Sequence, residues 1–401
     1  MHLAPRFARS AIIALGLAGT HCGGDALRGD AAADGRPDVT GDTISHDDAV
    51  DDGALFDAAV VDAADAGDAA RTDVGSDAPG DVVGVDAGTG GPILGIFKHG
   101  YGDSVDTFGA WLGRPALYAD TFTTNSDWAG IEVPSWITSN WGPWVAGSPG
   151  RRLVLAIPML PTTGGTLAEG ATGAFDAHWR TAAQHLVAAG LGHSVIRLGH
   201  EFNGTWYIWS ASPFCSGCST RPAEYAAYWR HVVDAMRAVP GAEFDFNWNV
   251  AYGVMSSGGV VFDPADAYPG DAYVGSIGLD LYDSTWAEYP ASGTITTAMR
   301  DAAWDTFLHG RNGLEYWRDF AATHGKPLTL PEWGLWEVGA HHGGGDNAAF
   351  IQRMHDWMAD PANRVAWHCY FDVTASDGDH QLEPTTQFPM GAARYRSLFS
   401  R

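Results

Sequence analysis

Short apolar runs recur along the chain from residue 93 onwards, and they predict eight β-strands. Most of these runs are almost continuously apolar, which is typical of parallel strands that are covered on both faces. The predicted strands are residues 93–98, 116–119, 153–157, 194–198, 244–248, 274–281, 328–330 and 365–371.

Between the strands, apolar residues recur at helical spacing in residues 174–189, 222–239, 313–324 and 347–359. Gly190 and Gly241 stand where the glycine after a helix belongs. This alternation predicts an α/β fold, a (β/α)8 TIM barrel, over residues 92–401. A doubly wound sheet is the alternative, but no GxGxxG follows the first strand.

The first residues have the layout of a signal peptide. Arg6 and Arg9 precede an apolar run, residues 11–18, which is too short to span a bilayer. Cys22, followed by two glycines, is similar to the acylated cysteine of bacterial lipoproteins, although His21 stands where a small residue is usual. We therefore expect residues 1–22 to be a signal segment and the protein to be exported, either as a cell-surface lipoprotein anchored through Cys22 or as a secreted protein.

Residues 23–91 hold 17 Asp, no Glu and three Arg, a net charge of −14. Such a segment buries too little apolar surface to offset its ordering entropy, and we predict a disordered acidic linker. All 17 Trp follow it, beginning with Trp111, so the folded domain is predicted at 92–401. The chain is acidic overall, with a formal charge of −25, which argues against a nucleic-acid partner.

The four cysteines are Cys22, Cys215, Cys218 and Cys369. In an exported protein the Cys215-Ser-Gly-Cys218 pair is predicted to form a small disulfide loop, because no second CxxC accompanies it. Cys369 lies in an apolar strand and is predicted to be a buried free thiol.

The active site of a parallel barrel lies at the carboxyl ends of its strands. His200 and Glu201 follow the fourth predicted strand, and Glu332 follows the seventh. Two carboxyl groups across one cleft are what glycosidic bond hydrolysis needs, since one protonates the leaving oxygen while the other attacks or activates water. Either glutamate taken alone is also compatible with an exposed residue or an ion-pair partner.

The run from Arg197 to Trp209 reads RLGHEFNGTWYIW, and it resembles the acid/base motif of glycoside hydrolase family 26, the β-mannanase family of clan A. Residues 225–233, 274–282 and 327–334 resemble, in the same order, the family's next helix, sixth strand and nucleophile strand. Two departures keep open a clan A hydrolase outside the family. Leu198-Gly199 stands where Pro and an apolar residue are common, and Phe202 where Met is frequent.

The resemblance implies a retaining double displacement with Glu201 as general acid/base and Glu332 as nucleophile. It further implies that His200 contacts the sugar beside the scissile bond and that Tyr282 orients Glu332. Trp367 would be the sugar platform, unless its place early in the eighth strand turns it into the core.

The two carboxyl groups need different environments. Burial and the nearby Glu332 should raise the pKa of Glu201, while Tyr282 and Arg197 should keep Glu332 ionised. The alternative for Arg197 is structural, as a partner that neutralises buried acids such as Asp280.

Other side chains after strand ends are candidates for the sugar. Flat aromatic faces stack on sugar rings, and six tryptophans follow strand ends: Trp206, Trp209, Trp248, Trp286, Trp333 and Trp336. The candidates for contacts to sugar hydroxyls are Asn249, His99 and Asp120. His341-His342 is predicted to belong to a surface loop that walls the cleft and not to a metal site, since HExxH is absent.

The sequence thus predicts an exported, monomeric, retaining endo-β-glycosidase that acts on a β-linked polysaccharide, most directly β-1,4-mannan, without metal or cofactor. Two alternatives stay open: a same-clan hydrolase of another β-glycan such as xylan or mixed-linkage glucan, and a non-catalytic glycan-binding protein.

Overall fold

The computed structural model of the protein describes residues 91–215, 217–253, 256–257, 260–385 and 387–400. The predictions for the signal segment, Cys22 and most of the acidic linker lie outside these residues. None of the helices in the described part of the chain combines the length and the apolarity needed to cross a membrane.

Eight parallel strands close into a barrel, as the sequence predicts. They are β1 (Ile93–Phe97), β2 (Tyr118–Phe122), β3 (Arg152–Ile157), β4 (Val195–Leu198), β5 (Asp245–Ala251), β8 (Ser276–Tyr282), β9 (Leu328–Gly334) and β10 (Val365–Phe371). β1 pairs with β10 to close the ring. A separate short hairpin joins β6 (Ser256–Ser257) and β7 (Val260–Val261).

Helices surround the barrel: α1 (Gly102–Leu112), α2 (Trp128–Ile131), α3 (Ser135–Ala146), α4 (Leu167–Gly170), α5 (Asp176–Ala188), α6 (Arg221–Arg237), α7 (Thr297–His309), α8 (Leu314–Thr323), α9 (Ala348–Ala359) and α10 (Pro389–Phe399). The four predicted helices are α5, α6, α8 and α9. The apolar periodicity missed α3, whose Gly142 and Pro143 are poor residues for a helix interior.

A compact layer of side chains fills the amino-terminal part of the barrel interior. Its members come from five neighbouring strands, and they are Ile93, Tyr118, Val154, Val195, Ala366, Trp367 and Cys369. This layer separates the amino-terminal end of the barrel from the polar side chains nearer the carboxyl ends of the strands.

Strand β9 carries an irregularity at Pro331. The register of β9 shifts against both neighbouring strands near this residue. Proline has no N–H to donate to the ladder, and its ring packs on Gly278, where an added Cβ would lie 2.9 Å from the Pro331 Cγ. The backbone N–H of Glu332 donates instead to the Asp280 side chain over 3.0 Å. The irregularity therefore sets the orientation of the Glu332 backbone, and with it the direction of the Glu332 side chain.

Candidate active site

Glu201 lies just beyond the end of β4, in a backbone turn that few residue types tolerate. Gly199 and Glu201 both have φ of +52°, and a Cβ at Gly199 would lie 2.6 Å from the Met159 sulfur. A left-handed φ is uncommon for a residue other than glycine and costs about 1–3 kcal/mol. The Glu201 N–H donates to the carbonyl of Asn249 over 3.0 Å, which ties the turn to β5.

The surroundings of Glu201 favour its protonated form. Burial, reinforced by the negative charge of Glu332, raises the pKa of Glu201 to about 8. The indole Nε1 of Trp206 opposes this shift by donating to Glu201 Oε2 over 3.0 Å. The carboxyl group thus holds a proton at neutral pH, as a general acid requires, and the direction of the expected shift is confirmed.

Glu332 is 7% exposed, and each of its carboxyl oxygens accepts a hydrogen bond. Arg197 Nη2 donates to Oε1 over 2.6 Å, and the Tyr282 hydroxyl donates to Oε2 over 2.7 Å. Charge-assisted hydrogen bonds of this length stabilise a negative charge. Tyr282 therefore has the contact with Glu332 that the family resemblance implies.

Arg197 is fully buried and lies at the centre of a cluster of acids. Besides Glu332, its guanidinium donates to Asp120 over 2.7 Å and to Asp280 over 2.8 Å. Burial raises the pKa of Asp120 to about 8 and that of Asp280 well above its ordinary value, although Arg197 opposes both shifts. Arg197 is 0% exposed, so the prediction that places it among the substrate-binding residues is wrong; the alternative, a partner that neutralises buried acids such as Asp280, agrees with these contacts.

Asn249 and Asp120 also belong to this buried cluster. Asn249 is 0% exposed and its Oδ1 accepts from Arg197 Nε over 3.0 Å, while Asp120 is 1% exposed. The prediction that these two side chains contact sugar hydroxyls is wrong, because β2 and β5 extend beyond the apolar runs and carry both residues inside the barrel.

His200 is 3% exposed and directly precedes Glu201. Its ring makes edge contacts with Phe122 and Tyr207, with centroids 5.4 and 5.0 Å apart. Burial, reinforced by the positive charge of Arg197, lowers the pKa of His200 well below its ordinary value. His200 is therefore a neutral imidazole, and its Nδ1 has no hydrogen-bond partner among the described residues.

Trp367 is not at the cleft. It is the third residue of β10, 2% exposed, and its ring lies 5.7 Å from that of Tyr118 in the layer that fills the amino-terminal part of the barrel. The sugar-platform prediction is therefore wrong, and the alternative, that its place early in the strand turns Trp367 into the core, is confirmed. The aromatic residue at the carboxyl end of β10 is Phe371, which is partly exposed and lies 5.7 Å from Tyr282, ring to ring.

The six candidate tryptophans divide into two groups. Trp209, Trp248 and Trp333 are at most 2% exposed and belong to the core, which contradicts their prediction as platforms. By contrast, Trp206 is 52% and Trp286 58% exposed. Trp336 is partly exposed, and its ring lies 5.2 Å from that of Tyr282.

The loop that contains His341 and His342 carries two of these aromatic contacts. The His341 ring stacks on Trp336 at 5.3 Å and the His342 ring lies 4.1 Å from Trp286. An isolated bridge between Ser284 and Gly343 ties this loop to the one after β8. No group of three His, Cys, Asp or Glu suited to a metal occurs among the residues that the structure describes.

Two further predictions concern residues outside the cluster. His99 is exposed, with Nε2 3.4 Å from the carbonyl of Thr374 in the loop after β10, and its contact with sugar stays a prediction. Cys215 and Cys218 are joined in a disulfide with their Cα atoms 5.1 Å apart, and Cys369 is free and buried, as predicted.

A closed parallel barrel with carboxyl groups at the ends of β4 and β9 has the layout of a glycoside hydrolase. The family model of glycosyl hydrolase family 26 matches residues 182–306, which include Glu201 and end before Glu332. This match confirms the resemblance to the family for the motifs at 197–209, 225–233 and 274–282, whereas the motif at 327–334 lies beyond the matched residues.

A curated mannan endo-1,4-β-mannosidase from Bifidobacterium adolescentis is 29% identical over 143 residues, which are 35% of this chain and only 12% of that protein. A modular endo-β-1,4-mannanase from Cellulomonas fimi is 19% identical over 77% of this chain and 70% of its own, with a TM-score of 0.54. The catalytic domain of an endo-β-1,4-mannanase from a Bacillus species is 19% identical over 76% of this chain and 85% of its own, with a TM-score of 0.51. The two structures support the barrel fold.

Proposed function

We propose that this protein is a retaining endo-β-glycosidase that hydrolyses β-1,4-mannan, with Glu201 as general acid/base and Glu332 as nucleophile. One observation carries the proposal: two carboxyl groups at strand ends have opposite environments. Glu201 is partly buried and retains its proton, whereas Glu332 accepts hydrogen bonds from a cation and a hydroxyl group. A double displacement needs this difference.

In the first step Glu332 attacks the anomeric carbon while Glu201 passes its proton to the leaving oxygen, so that the glycosidic bond breaks as the glycosyl-enzyme ester forms. In the second step Glu201, now ionised, takes a proton from water as the water oxygen attacks the same carbon. The bond to Glu332 breaks, and the carboxylate returns to its contacts with Arg197 and Tyr282. These two carboxyl groups supply proton transfer and covalent catalysis, so the proposed reaction uses no cofactor.

The choice of substrate is supported by the site and by the relatives. Exposed Trp206 and Trp286 offer apolar faces to sugar rings, and neutral His200 offers a hydrogen-bonding group beside the acid. The formal charge of −25 argues against a polyanionic substrate. Mannan is proposed because the relatives named above are mannanases.

The release of reducing ends tests the activity. We expect release from β-mannan and glucomannan, with a rapid fall in viscosity that marks internal cleavage, and none from Glu332→Ala. Release of reducing ends from xylan or mixed-linkage glucan alone would contradict mannan as the substrate and identify that glycan instead. Glycan binding without release from any substrate would reject the enzyme in favour of a binding protein.

The stereochemistry tests the mechanism separately. NMR of the first products should show the β-anomer, since two inversions retain the configuration. First products with the α-configuration would contradict a nucleophilic Glu332 even if mannan is cleaved. Azide should partly restore turnover of Glu201→Ala on substrates with a good leaving group, because azide needs no general base.

We also propose that the protein is exported as a monomer, either acylated at Cys22 or secreted. The support is the order of basic residues, apolar run and Cys22 in the sequence. Mass spectrometry of the mature amino terminus distinguishes a diacylglyceryl cysteine from an unmodified cleavage product, and an unprocessed Met1 would contradict export.

A further inference from the structure

A cavity of about 660 Å³ opens at the end of the barrel opposite the candidate active site. It lies where the described chain begins, before β1, and the helices α9 and α10 form much of its wall. Among its lining residues are Gly91, Arg114, His355, His368, Arg394 and Phe399.

His368 gives this cavity a hydrogen-bond donor. The residue is 2% exposed, and its Nδ1 lies 3.0 Å from the indole Nε1 of Trp333. An indole nitrogen only donates, so Nδ1 is the acceptor and carries no proton. Burial, with Arg114 and His355 adding positive charge nearby, lowers the pKa of His368 to about 3. The ring is therefore neutral with its single proton on Nε2, which forms no hydrogen bond with the described residues.

The remaining lining combines positive charge with apolar surface. Arg114 and Arg394 line the cavity. His355 lines it too and is paired with Asp356 at 2.9 Å. Met358, Leu398 and Phe399 supply apolar contacts. Cationic groups, a neutral N–H donor and an apolar wall together fit a carboxylate that is flanked by aliphatic side chains.

Such a sequence directly precedes the cavity. Residues 81–90 read DVVGVDAGTG, in which three valines stand within the four residues before Asp86. Asp86 stands five positions before Gly91, and an extended chain covers about 3.3–3.6 Å per residue, so Asp86 reaches at most about 17 Å from Gly91. Because Gly91 itself lines the cavity, Asp86 is close enough along the chain to reach into it.

We propose that residues 81–90 bind in this cavity, with the Asp86 carboxylate between the Arg394 guanidinium and the His368 Nε2–H and with the valines against Phe399. The segment then leaves the barrel at the face opposite Glu201 and Glu332. Docking would hold the acidic linker away from the cleft, whose carboxyl groups it would otherwise repel. This inference does not depend on the proposed enzymatic activity.

Hydrogen exchange followed by mass spectrometry on the full chain tests the docking. We expect amides of residues 81–90 to exchange at least ten-fold more slowly than those of residues 30–60. Asp86→Asn and Arg394→Glu should each abolish that difference. Asp52→Asn, which removes an equal charge farther along the linker, is the matched control and should leave it intact.

A charge swap makes the test specific. Asp86→Arg combined with Arg394→Asp should restore slow exchange that either change alone removes. Because Asp86 lies outside the described barrel, Asp86→Asn should have the melting temperature of the unmodified protein. An unchanged melting temperature shows that the barrel is still folded in this variant. Equal exchange of residues 81–90 and 30–60 in the unmodified chain, or slow exchange that survives Asp86→Asn, would overturn the proposal.

Discussion

The indole N–H of Trp206 donates to Glu201 Oε2 over 3.0 Å, from a ring that is itself 52% exposed. This hydrogen bond lowers the pKa of Glu201, against the larger effects of burial and of the Glu332 charge. Trp206 therefore makes the proposed proton donor a stronger acid than burial and the Glu332 charge alone would leave it.

Trp206→Phe should move the alkaline limb of the pH–rate profile upwards. In the unmodified enzyme kcat/KM should fall as the pH rises through about 8, because Glu201 loses the proton that it must donate. Without the indole donor the ionised form is less stable, so the limb shifts to higher pH. Trp286→Phe, whose ring is 58% exposed and packs on His342, is the control and should leave the limb in place. A downward shift in Trp206→Phe would contradict the assignment.

Glu201→Gln should become more stable than the unmodified protein as the pH rises. The pKa of Glu201 is about 8 in the folded protein against an ordinary 4.5, so the folded state binds the proton more tightly. This contribution to stability is fully present below about 4.5 and is lost as the pH rises through about 8. Urea unfolding from pH 5 to pH 9 should show the difference growing in favour of Glu201→Gln. A difference independent of pH would mean that Glu201 titrates normally.

Tyr282→Phe should lower kcat/KM about 10- to 100-fold, since a hydrogen bond to a charged group contributes about 1.5–3 kcal/mol. Its hydroxyl is 2.7 Å from Glu332 Oε2. Tyr395→Phe is a matched control, because the Tyr395 hydroxyl is buried without a partner among the described residues. Steady-state kinetics on a soluble manno-oligosaccharide should show a lower kcat/KM in Tyr282→Phe and an unchanged kcat/KM in Tyr395→Phe. An equal loss of kcat/KM in both variants would point to a general packing effect.

The sequence predicted the barrel because continuous apolar runs and helical spacing report burial directly. It located Glu201 and Glu332 because each follows such a run. It misplaced Asn249 and Asp120 because a polar residue inside a strand has the same appearance as a residue that follows the strand. Arg197 was predicted inside its strand, with buried acids such as Asp280 as its alternative partners, and only the fold shows that Asn249 and Asp120 join it in one buried cluster.

Trp367 shows a second limit of the sequence. Residue type indicated a sugar platform, whereas its position four residues before the end of β10 puts it in the core layer. The tryptophans of the core and of the cleft are alike in sequence, and strand position separates them only when the strand bounds are known. Phe371 is the last residue of the same strand, so its strand position makes it the better candidate for the sugar platform.

Phe371→Leu should raise KM about two- to ten-fold while Trp367→Phe leaves KM unchanged. Phe371 is partly exposed beside Tyr282, and the loss of aromatic contact costs about 0.5–1.5 kcal/mol. Trp367 is buried, so its shortening should instead reduce the free energy of unfolding by about 1–3 kcal/mol. Substrate kinetics and urea unfolding of both variants provide the check; a raised KM in Trp367→Phe alone would restore the sugar-platform prediction.

Arg197→Met should destabilise the protein by about 3–5 kcal/mol at pH 9, because it leaves Asp120, Asp280 and Glu332 buried without their cation. Arg180→Met removes an arginine that is 49% exposed and 3.8 Å from Asp176, and it should change stability by less than about 0.5 kcal/mol. The loss in Arg197→Met should shrink as the pH falls below about 8, the pKa of Asp120, since a protonated carboxyl group no longer needs a counter-charge. Urea unfolding of both variants at pH 9 and pH 6 separates this electrostatic cause from a packing defect, whose cost would be the same at both values.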